Sequence, residues 1–417
     1  MNKLNSNIYC EKRSSYKMYK VMSVNAGSSS LKFKLFEMPE EVVIASGIVE
    51  RIGHDDAIFT IKKPDGFKKT EVLEVVDHAV AVDLVLKGLI EQNIVKSLDE
   101  IKGVGHRIVQ GGKYFADSAV FDKDTEDKIE SLIPLAPLHN AAHLVGFRAF
   151  KKALPDVGEV AVFDTAFHQT MPEEEYLFPI KYEYSMQYDI RRYGAHGTSH
   201  KYLSELVNHK YLNDKKDSCI ITCHIGSGSS LAAVKNGKCI STTMGLTPLG
   251  GVMMGTRTGD MDPSVFNYLV TCTGKSAEQI YQEFNKESGL LGVSGVSNDT
   301  RDIEAGAANG NERCVLAMKM FANRIASFIG SYFIKLGHVD AIVFSAGIGE
   351  NAPEYREAII DDCKEAMKLE LDKEANKVTR FGKEGIISTP SSSCPIIVVP
   401  TDEELMIARD TVRLLKL

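Results

Sequence analysis

Three glycine-rich or serine-rich turns each follow a short apolar run that is typical of a β-strand. They contain Gly27-Ser28-Ser29-Ser30, Gly226-Ser227-Gly228-Ser229-Ser230 and Gly347-Ile348-Gly349-Glu350-Asn351. Such turns expose backbone N–H groups, which bind phosphate oxygens without help from side chains. None of them has the spacing of a Walker A motif or of a dinucleotide fingerprint. Each turn alone is also typical of an ordinary tight turn, but three together predict phosphate binding.

Two arginines lie in polar, glycine-rich surroundings. Gly105 precedes Arg107, and Arg257 lies between Gly255 and Gly259. A guanidinium group flanked by glycines can approach a phosphate or a carboxylate closely and bind it through two parallel hydrogen bonds. The alternative for Arg257 is a structural ion pair with Asp260.

Carboxylates follow two of the apolar runs. Asp164 ends the run 160–163, and Glu403 and Glu404 follow the run 396–401. The carboxyl ends of strands face the ligand crevice of an open α/β sheet, so Asp164 could hold a metal or orient a substrate. A helix cap explains Asp164 equally well, and acidic residues favour the first turn of a helix in any case.

Two histidine pairs have i, i+4 spacing, His139/His143 and His196/His200. Neither pair has the glutamate of the zinc hydrolases. His196 lies on a loop between glycines, where it could stabilise the charge of a transferred phosphoryl group. His200 is interpreted as an ordinary helical residue.

The coarse pattern alternates apolar β-like runs with amphipathic helices, which predicts an α/β fold. Residues 24–31 and 223–231 repeat the same order of β run, glycine/serine turn and β run, which favours a duplication over a chance match. The predicted helices are 77–92, 125–132, 140–153, 198–212, 263–271, 276–287, 311–336 and 403–415. The predicted strands are 21–24, 31–36, 42–50, 57–62, 103–109, 159–163, 219–224, 231–235, 341–345 and 395–399.

The composition excludes several classes of protein. The 417 residues predict two domains or three small ones. The net charge of −7 argues against a global basic surface for nucleic acid, and no apolar run has the length of a membrane span. Eight scattered cysteines indicate reduced, buried thiols in a cytoplasmic protein. Residues 1–17 lack a periodic apolar face and are predicted to be a disordered, dispensable extension.

Taken together, these motifs resemble the acetate and butyrate kinases, and the acetate kinases more closely. The similarity runs from about Met18 to the C-terminus. It implies a duplicated actin-like ATPase fold, which is α/β and ribonuclease H-like, with two domains around a nucleotide cleft. The domains would be 18–164, completed by the C-terminal helix 400–417, and the nucleotide-binding domain 165–399. The matching motifs are residues 21–32, Gly105-His106-Arg107, Pro137-Leu138-His139-Asn140, residues 163–168, His196-Gly197-Thr198-Ser199-His200, residues 248–260 and Gly347-Ile348-Gly349-Glu350-Asn351.

The resemblance also implies a role for each matching residue. Catalytic roles fall on Asp164, His196 and Arg257, and the metal site on Asn25 and Glu403, with Glu404 as the alternative to Glu403. The substrate site would comprise Arg107, Val109, Leu138, His139, Ala195 and Pro248. The nucleotide site would comprise Lys32, His224, Ile225, Gly226, Ser227, Gly228, Asp299, Thr300, Arg301, Gly347, Ile348, Gly349, Glu350 and Asn351.

The implied function is acetate kinase activity: reversible transfer of a phosphoryl group from ATP to acetate, giving ADP and acetyl phosphate. Mg²⁺ would be the cofactor, with Mn²⁺ as the alternative ion, and the family suggests a cytoplasmic homodimer without nucleic-acid or membrane partners. The alternatives are a propionate or butyrate kinase and, from another class, an actin-like or chaperone-like ATPase.

One position departs from the family pattern, which usually has Phe where this chain has Ala195. Either the acyl pocket has spare room for propionate, or a side chain from residues 243–254 fills the gap.

Overall fold

A computed structural model describes residues 18–137 and 139–417, so the predicted extension 1–17 and Leu138 lie outside the described residues. The chain forms two compact units. The first contains residues 18–110, Asp117–Phe163 and Glu404–Leu417. The second contains Gly111–Ala116 and Asp164–Glu403.

The first unit is built on an eight-stranded sheet with the strand order β5-β4-β3-β2-β1-β6-β8-β7. Its strands are β1 (Tyr19–Ala26), β2 (Ser30–Met38), β3 (Val42–Glu50), β4 (His54–Lys62), β5 (Lys68–Val75), β6 (Ile101–Ile108), β7 (Ala119–Val120) and β8 (Gly158–Phe163). Its helices are α1 (His78–Glu91), α2 (Lys123–Ser131) and α3 (Asn140–Ala153).

The second unit is built on a six-stranded sheet with the order β11-β10-β9-β12-β14-β13. Its helices are α4 (Glu173–Tyr176), α5 (Tyr182–Tyr188), α6 (Gly197–Tyr211), α7 (Ser264–Thr273), α8 (Ala277–Lys286), α9 (Gly289–Ser294), α10 (Thr300–Ala308), α11 (Glu312–Leu336), α12 (Ala346–Asn351), α13 (Pro353–Met367) and α14 (Lys373–Val378). Its strands are β9 (Cys219–Ile225), β10 (Ser229–Lys235), β11 (Lys238–Thr242), β12 (Ala341–Ser345), β13 (Gly385–Ile386) and β14 (Ile396–Val398).

The two sheets share one topology. In the first unit β3, β2 and β1 are antiparallel neighbours, and β1, β6 and β8 run parallel. In the second unit β11, β10 and β9 repeat the antiparallel part, and β9, β12 and β14 repeat the parallel part. The repeated turns of the sequence are the hairpin turns β1–β2 and β9–β10. This agreement confirms the predicted fold class and supports the duplication.

Helix α15 (Glu403–Leu415) begins at the last residue of the second unit, and its remaining residues belong to the first. Ile407 packs there against Val160 and Val162 of β8. A Cβ atom at Gly105 of β6 would lie 2.3 Å from the Thr411 hydroxyl oxygen. Gly105 is therefore needed for the close approach of the helix, which corrects the interpretation that it makes room around Arg107.

The central helix of the second unit, α11, buries a stripe of side chains that includes Phe321, Ile325 and Ile329 in the largest core. The inward face of α11 therefore belongs to the core, whereas Leu316 and Ile334 on the same helix are exposed. No described helix is both long enough and apolar enough to cross a membrane.

The described cysteines are all free thiols, and only Cys272 among them is exposed. The prediction of reduced thiols holds for these residues, and the prediction of burial fails at Cys272.

Candidate active site

The first unit positions Asn25 and Lys32 opposite each other in the β1–β2 hairpin. The turn between the strands is closed by a hydrogen bond from the Gly27 N–H to the Ser30 carbonyl oxygen, 2.7 Å. The ring of His78 lies 2.7 Å from the Gly27 carbonyl oxygen and anchors the turn to α1. Asn25 is half-buried and Lys32 is exposed. The hairpin thus presents an amide and an ammonium group side by side.

Arg107 and Val109 lie at the carboxyl end of β6, where Arg107 is half-buried. The following residue, Gln110, is held by the side chain of Asn140, which accepts from the Gln110 N–H at 3.1 Å and donates to its carbonyl at 2.9 Å. His139 directly precedes α3 and is exposed. The asparagine of the Pro137–Asn140 motif therefore fixes the end of the strand that carries Arg107.

His143 was not assigned a role by the sequence. It is buried, neither ring nitrogen has a hydrogen-bond partner within reach, and its ring stacks on His139. Burial, reinforced by the positive charge of Arg107, lowers the pKa of His143 to about 3. The side chain is consequently neutral next to Arg107 and adds no charge of its own to the site.

Asp164, which directly follows β8, begins the second unit and is buried. Its carbonyl oxygen accepts from the N–H of Gly197 at 2.8 Å, which ties it to the start of α6. The 3₁₀ turn that follows has Thr165 at its N-cap position and no side-chain cap. The helix-cap alternative for Asp164 is therefore not what the structure shows.

His196 sits at the N-cap of α6 in the left-handed backbone region, with φ at 56°. Its Nδ1 lies 2.8 Å from the hydroxyl oxygen of Ser230, and its ring stacks on His224 with 4.0 Å between the centroids. His224 in turn places its Nδ1 2.8 Å from the hydroxyl of Ser199. The histidines of two separate motifs are thus brought together at the β9–β10 turn.

His200 does not behave as an ordinary helical residue. It is fully buried, and its two ring nitrogens lie 2.7 Å from the Thr222 hydroxyl and 2.8 Å from the Ser230 hydroxyl. The i, i+4 spacing of His196 and His200 brings both rings within hydrogen-bond distance of the Ser230 hydroxyl. This spacing is visible in the sequence, but only the pairing of β9 and β10 shows that Thr222 and Ser230 lie beside the ring.

Arg257 lies against the β9–β10 turn at Gly228. The approach is close: a Cβ atom added at Gly228 would be 3.3 Å from a guanidinium nitrogen of Arg257. Arg257 donates to the Pro248 carbonyl at 2.9 Å and contacts the sulfur of Met254. Asp260 accepts instead from the Gly251 N–H at 2.7 Å. The predicted alternative of an Arg257–Asp260 pair is therefore wrong, and no carboxylate of the described residues forms an ion pair with Arg257. Burial lowers the pKa of Arg257 below its ordinary value.

Ala195 is buried in a small cluster with Met244 and Met254. Both methionines come from the segment that the sequence named as the alternative source of a filling side chain. The carbonyl oxygen of Ala195 is 2.9 Å from Nε2 of His168, a fully buried ring whose pKa burial lowers to about 4. The space next to Ala195 is thus occupied by side chains of this unit.

The third glycine motif was predicted as a glycine-rich turn after a strand, and in the structure it is helical. Residues Ala346–Asn351 form the short helix α12 directly after β12. Glu350 accepts from the Ala346 N–H at 2.8 Å, and Asn351 donates to the Gly347 carbonyl at 2.9 Å. These local bonds occupy the Ala346 N–H and the Gly347 carbonyl oxygen.

Asp299 and Arg301 form hydrogen bonds and an ion pair with each other. Asp299 caps α10 by accepting from the Arg301 N–H, and it also pairs with the Arg301 guanidinium. These hydrogen bonds lower the pKa of Asp299 to about 2. Arg301 is exposed and Thr300 is buried.

The comparisons with known proteins agree with this geometry. The model of the Acetokinase family matches residues 20–409. An acetate kinase of Geobacillus kaustophilus (strain HTA426) is 52% identical over 400 residues, which cover 96% of this chain and 100% of the relative. The chain belongs to the acetokinase family. Family membership confirms the predicted resemblance and makes the chain a phosphotransferase.

Solved structures of the same family are similar along almost the whole chain. The acetate kinase of Porphyromonas gingivalis is 45% identical with a TM-score of 0.91, covering 95% of this chain and 100% of that chain. A propionate kinase of Francisella tularensis is 40% identical with a TM-score of 0.88, again covering 95% of this chain and 100% of that chain. Both likenesses support the two-domain actin-like fold.

Proposed function

We propose that the chain catalyses reversible phosphoryl transfer between ATP and acetate, giving ADP and acetyl phosphate. The observation that supports this most strongly is the environment of Arg257. Its cation is half-buried beside the Gly226–Gly228 turn, and it has neutral neighbours in Pro248 and Met254. Such a cation favours an anionic ligand, because burial is costly for a charge without a counter-charge. A phosphoryl group supplies that counter-charge.

In this mechanism the protein positions the reactants and neutralises charge. Acetate is already an anion, so it needs no general base, and repulsion between its carboxylate and the γ-phosphate is the barrier to be lowered. Arg257 and His196 offset the negative charge of the transferred group. Arg107 binds the acetate carboxylate, and Asp164 orients the reactants.

Asn25 and Glu403 are proposed to hold Mg²⁺, and their amide and carboxylate oxygens are ligands that this ion prefers. Glu404, the alternative, forms an ion pair with Lys34 at 3.1 Å. When bound, the ion reduces the negative charge of the nucleotide phosphates. The nucleotide itself is assigned to Lys32, the β9–β10 turn, Asp299–Arg301 and α12.

Propionate kinase activity is the second candidate, because a propionate kinase is among the similar structures. Met244 and Met254 beside Ala195 are flexible side chains that can change rotamer to admit one more methylene group. We also assign the chain to the cytoplasm, where its free thiols are stable, and expect a homodimer.

The activity is tested by coupling ADP formation to NADH oxidation with Mg-ATP and acetate, propionate, butyrate or no acid. We expect ADP formation to require an acid and kcat/KM to be highest for acetate. Equal turnover without an acid would contradict the kinase and favour an ATPase.

The same assay tests Arg257. Arg257→Ala should lower kcat far more than it raises the KM for ATP, because the cation acts on charge that develops during transfer. Arg257→Lys retains the positive charge but not the planar guanidinium group, so its kcat should lie between those of the wild type and Arg257→Ala. A normal kcat with a raised KM would reassign Arg257 to binding of the ground state.

A further inference from the structure

We propose that Ser230 and His200 are positioning residues that fix the orientation and the tautomer of His196. This inference deepens the function proposed above, since it rests on His196 acting at the transferred phosphoryl group. Ser230 closes the second glycine-rich turn and begins β10 with Ser229, His200 lies on α6, and none of the residues that carry the inference was assigned to the nucleotide or substrate site.

A chain of four hydrogen bonds runs from His196 into the core of the second unit. Ser230 Oγ lies 2.8 Å from Nδ1 of His196 and 2.8 Å from Nε2 of His200. Thr222 Oγ1 lies 2.7 Å from Nδ1 of His200 and 3.4 Å from the carbonyl oxygen of Ala232. Ser230, His200 and Thr222 are fully buried, so water does not compete for these bonds.

The number of available hydrogens decides which atom donates and which accepts in each of these four hydrogen bonds. The Ala232 carbonyl can only accept, so Thr222 donates to it and accepts from the Nδ1–H of His200. A neutral imidazole carries one hydrogen, which leaves Nε2 of His200 as an acceptor for the single hydrogen of Ser230. Ser230 then accepts from His196 Nδ1–H. Burial lowers the pKa of His200 well below its usual range, so this ring remains neutral and able to accept.

The direction has a chemical consequence at the other ring nitrogen of His196. With its hydrogen fixed on Nδ1, neutral His196 has a bare Nε2, and only the imidazolium form carries a hydrogen there. His196 therefore donates to a phosphoryl oxygen as a cation, which supplies a positive charge together with the hydrogen bond. If the chain ran the other way, Thr222 would give up its bond to Ala232, and neutral His196 would carry its hydrogen on Nε2.

The orientation of the ring depends on the same serine. His196 has a left-handed backbone, and its ring is held between the Ser230 hydroxyl and the face of His224. Replacing the hydroxyl by a hydrogen removes one of these two restraints with almost no change in volume. The stacking partner and the fold of the hairpin stay in place.

The test compares Ser230→Ala with Ser230→Thr in the full-length enzyme. Ser230→Ala should lower kcat about 10-fold to 100-fold, the range found when an orienting partner of a functional side chain is lost, with KM for ATP and acetate within about twofold. Ser230→Thr keeps the hydroxyl and should restore most of the activity. Ser204→Ala, which removes another buried hydroxyl that bonds only the Lys201 carbonyl on the same helix as His200, should leave kcat unchanged.

Two further measurements separate this inference from the proposed role of His196. His196→Ala should lose at least as much kcat as Ser230→Ala, and the double variant should lose no more than His196→Ala alone. Ring ¹⁵N shifts of neutral His196 should show the hydrogen on Nδ1 in the wild type. Wild-type kcat in His196→Ala would overturn the role of His196 itself. Loss in that variant with wild-type kcat in Ser230→Ala, or a neutral ring with its hydrogen on Nε2, would overturn this inference alone.

Discussion

The effect of Ala195 can be interpreted only together with the side chains around it. Ala is smaller than the Phe that is usual in the family, so the sequence allows either an enlarged acyl pocket or a gap filled by a side chain from residues 243–254. The structure favours the second, because Met244 and Met254 pack with Ala195 and all three are buried. Methionine suits such a site, since its unbranched chain fills irregular gaps. If Ala195 lines the acyl pocket, as the family resemblance implies, we expect acyl-chain preference to depend on how readily these two methionines move.

Ala195→Phe is therefore expected to overpack this cluster. An inserted ring must displace Met244 or Met254 at a cost of about 1–3 kcal/mol, which should lower the melting temperature and kcat/KM for acetate and propionate alike. Adding Met244→Ala should restore stability and raise the acetate-to-propionate ratio of kcat/KM. Thermal unfolding and steady-state kinetics of the single and double variants check this. An unchanged melting temperature in Ala195→Phe would show that the cluster has spare room.

Individual contacts were harder to predict than residue types. Glycine spacing identified Arg257 as a candidate, but its alternative pairing with Asp260 was settled only by the Gly251 N–H. The role of Ser230 has no signature beyond a serine in a turn. His143 and His200 required the packing of helices on strands, which local spacing does not encode.

At the scale of elements, apolar periodicity located many of the buried helices and strands but missed others, including α13 with its seven buried residues. The predicted α3, α15, β3 and β12 have the observed ends, because each has a clear apolar face or run. Strand β5 was missed, since it is an edge strand that contains two Lys and two Glu residues and fully buries only Val75. Helix α12 was predicted as a tight glycine-rich turn, because its two glycines outweighed the capping carboxylate of Glu350.

Helices α12, α13 and α14 are joined by one buried arginine. Arg356 on α13 donates to the carbonyls of Gly349 and Glu350 at the end of α12. It also donates to two oxygens of Asn376 on α14, the side-chain oxygen at 2.7 Å and the backbone carbonyl oxygen at 2.6 Å. Burial lowers the pKa of Arg356 to about 10. A planar group with five donors is required to satisfy acceptors on two neighbouring helices, α12 and α14, at once.

Arg356→Lys should consequently destabilise the enzyme although it keeps the charge. The lysine ammonium cannot reach all of the oxygens that Arg356 contacts, so several buried carbonyl oxygens lose their donors. Each unsatisfied oxygen should lower the free energy of unfolding by about 1–3 kcal/mol. If α12 contacts the nucleotide, the KM for ATP should rise while the KM for acetate stays constant. Urea unfolding and kinetics check both effects, with Arg380→Lys on the partly exposed neighbouring segment as the control. Equal stability of Arg356→Lys and the wild type would contradict this account.

At the scale of the molecule, the sequence revealed the architecture because the duplication is visible in its turns. The repeated β–turn–β pattern corresponds to β1–β2 and β9–β10, each in the same position of a sheet with the same topology. The membership of Gly111–Ala116 in the second unit has no sequence signal, because it depends on contacts such as Gly111 N–H to Thr165 Oγ1, 3.0 Å. Long-range contacts of this kind are set by the finished fold.

The surface of the second unit carries an apolar helix that a monomer would leave in water. None of the ten residues of α7 is buried, although Val265, Phe266, Tyr268, Leu269 and Val270 are apolar. Tyr268 is 68% exposed, and Met261 and Tyr281 on neighbouring segments are also exposed. Several exposed apolar side chains on one helix, here called the α7 patch, are typical of a protein–protein interface. A second copy of the chain is the proposed occupant, in accord with the homodimer that the family resemblance implies.

The dimer is tested by the mass of the particle in solution. Light scattering after gel filtration should give about twice the chain mass of 45.9 kDa for the wild type. Tyr268→Glu should give the mass of one chain, because a charge in the centre of an apolar interface cannot be desolvated cheaply. Ile334→Glu is the matched control, since Ile334 is an exposed apolar residue on α11 and outside the α7 patch. A wild-type enzyme of one chain mass at micromolar concentration would exclude the dimer. Dimers of Tyr268→Glu, or monomers of Ile334→Glu, would instead place the interface away from α7.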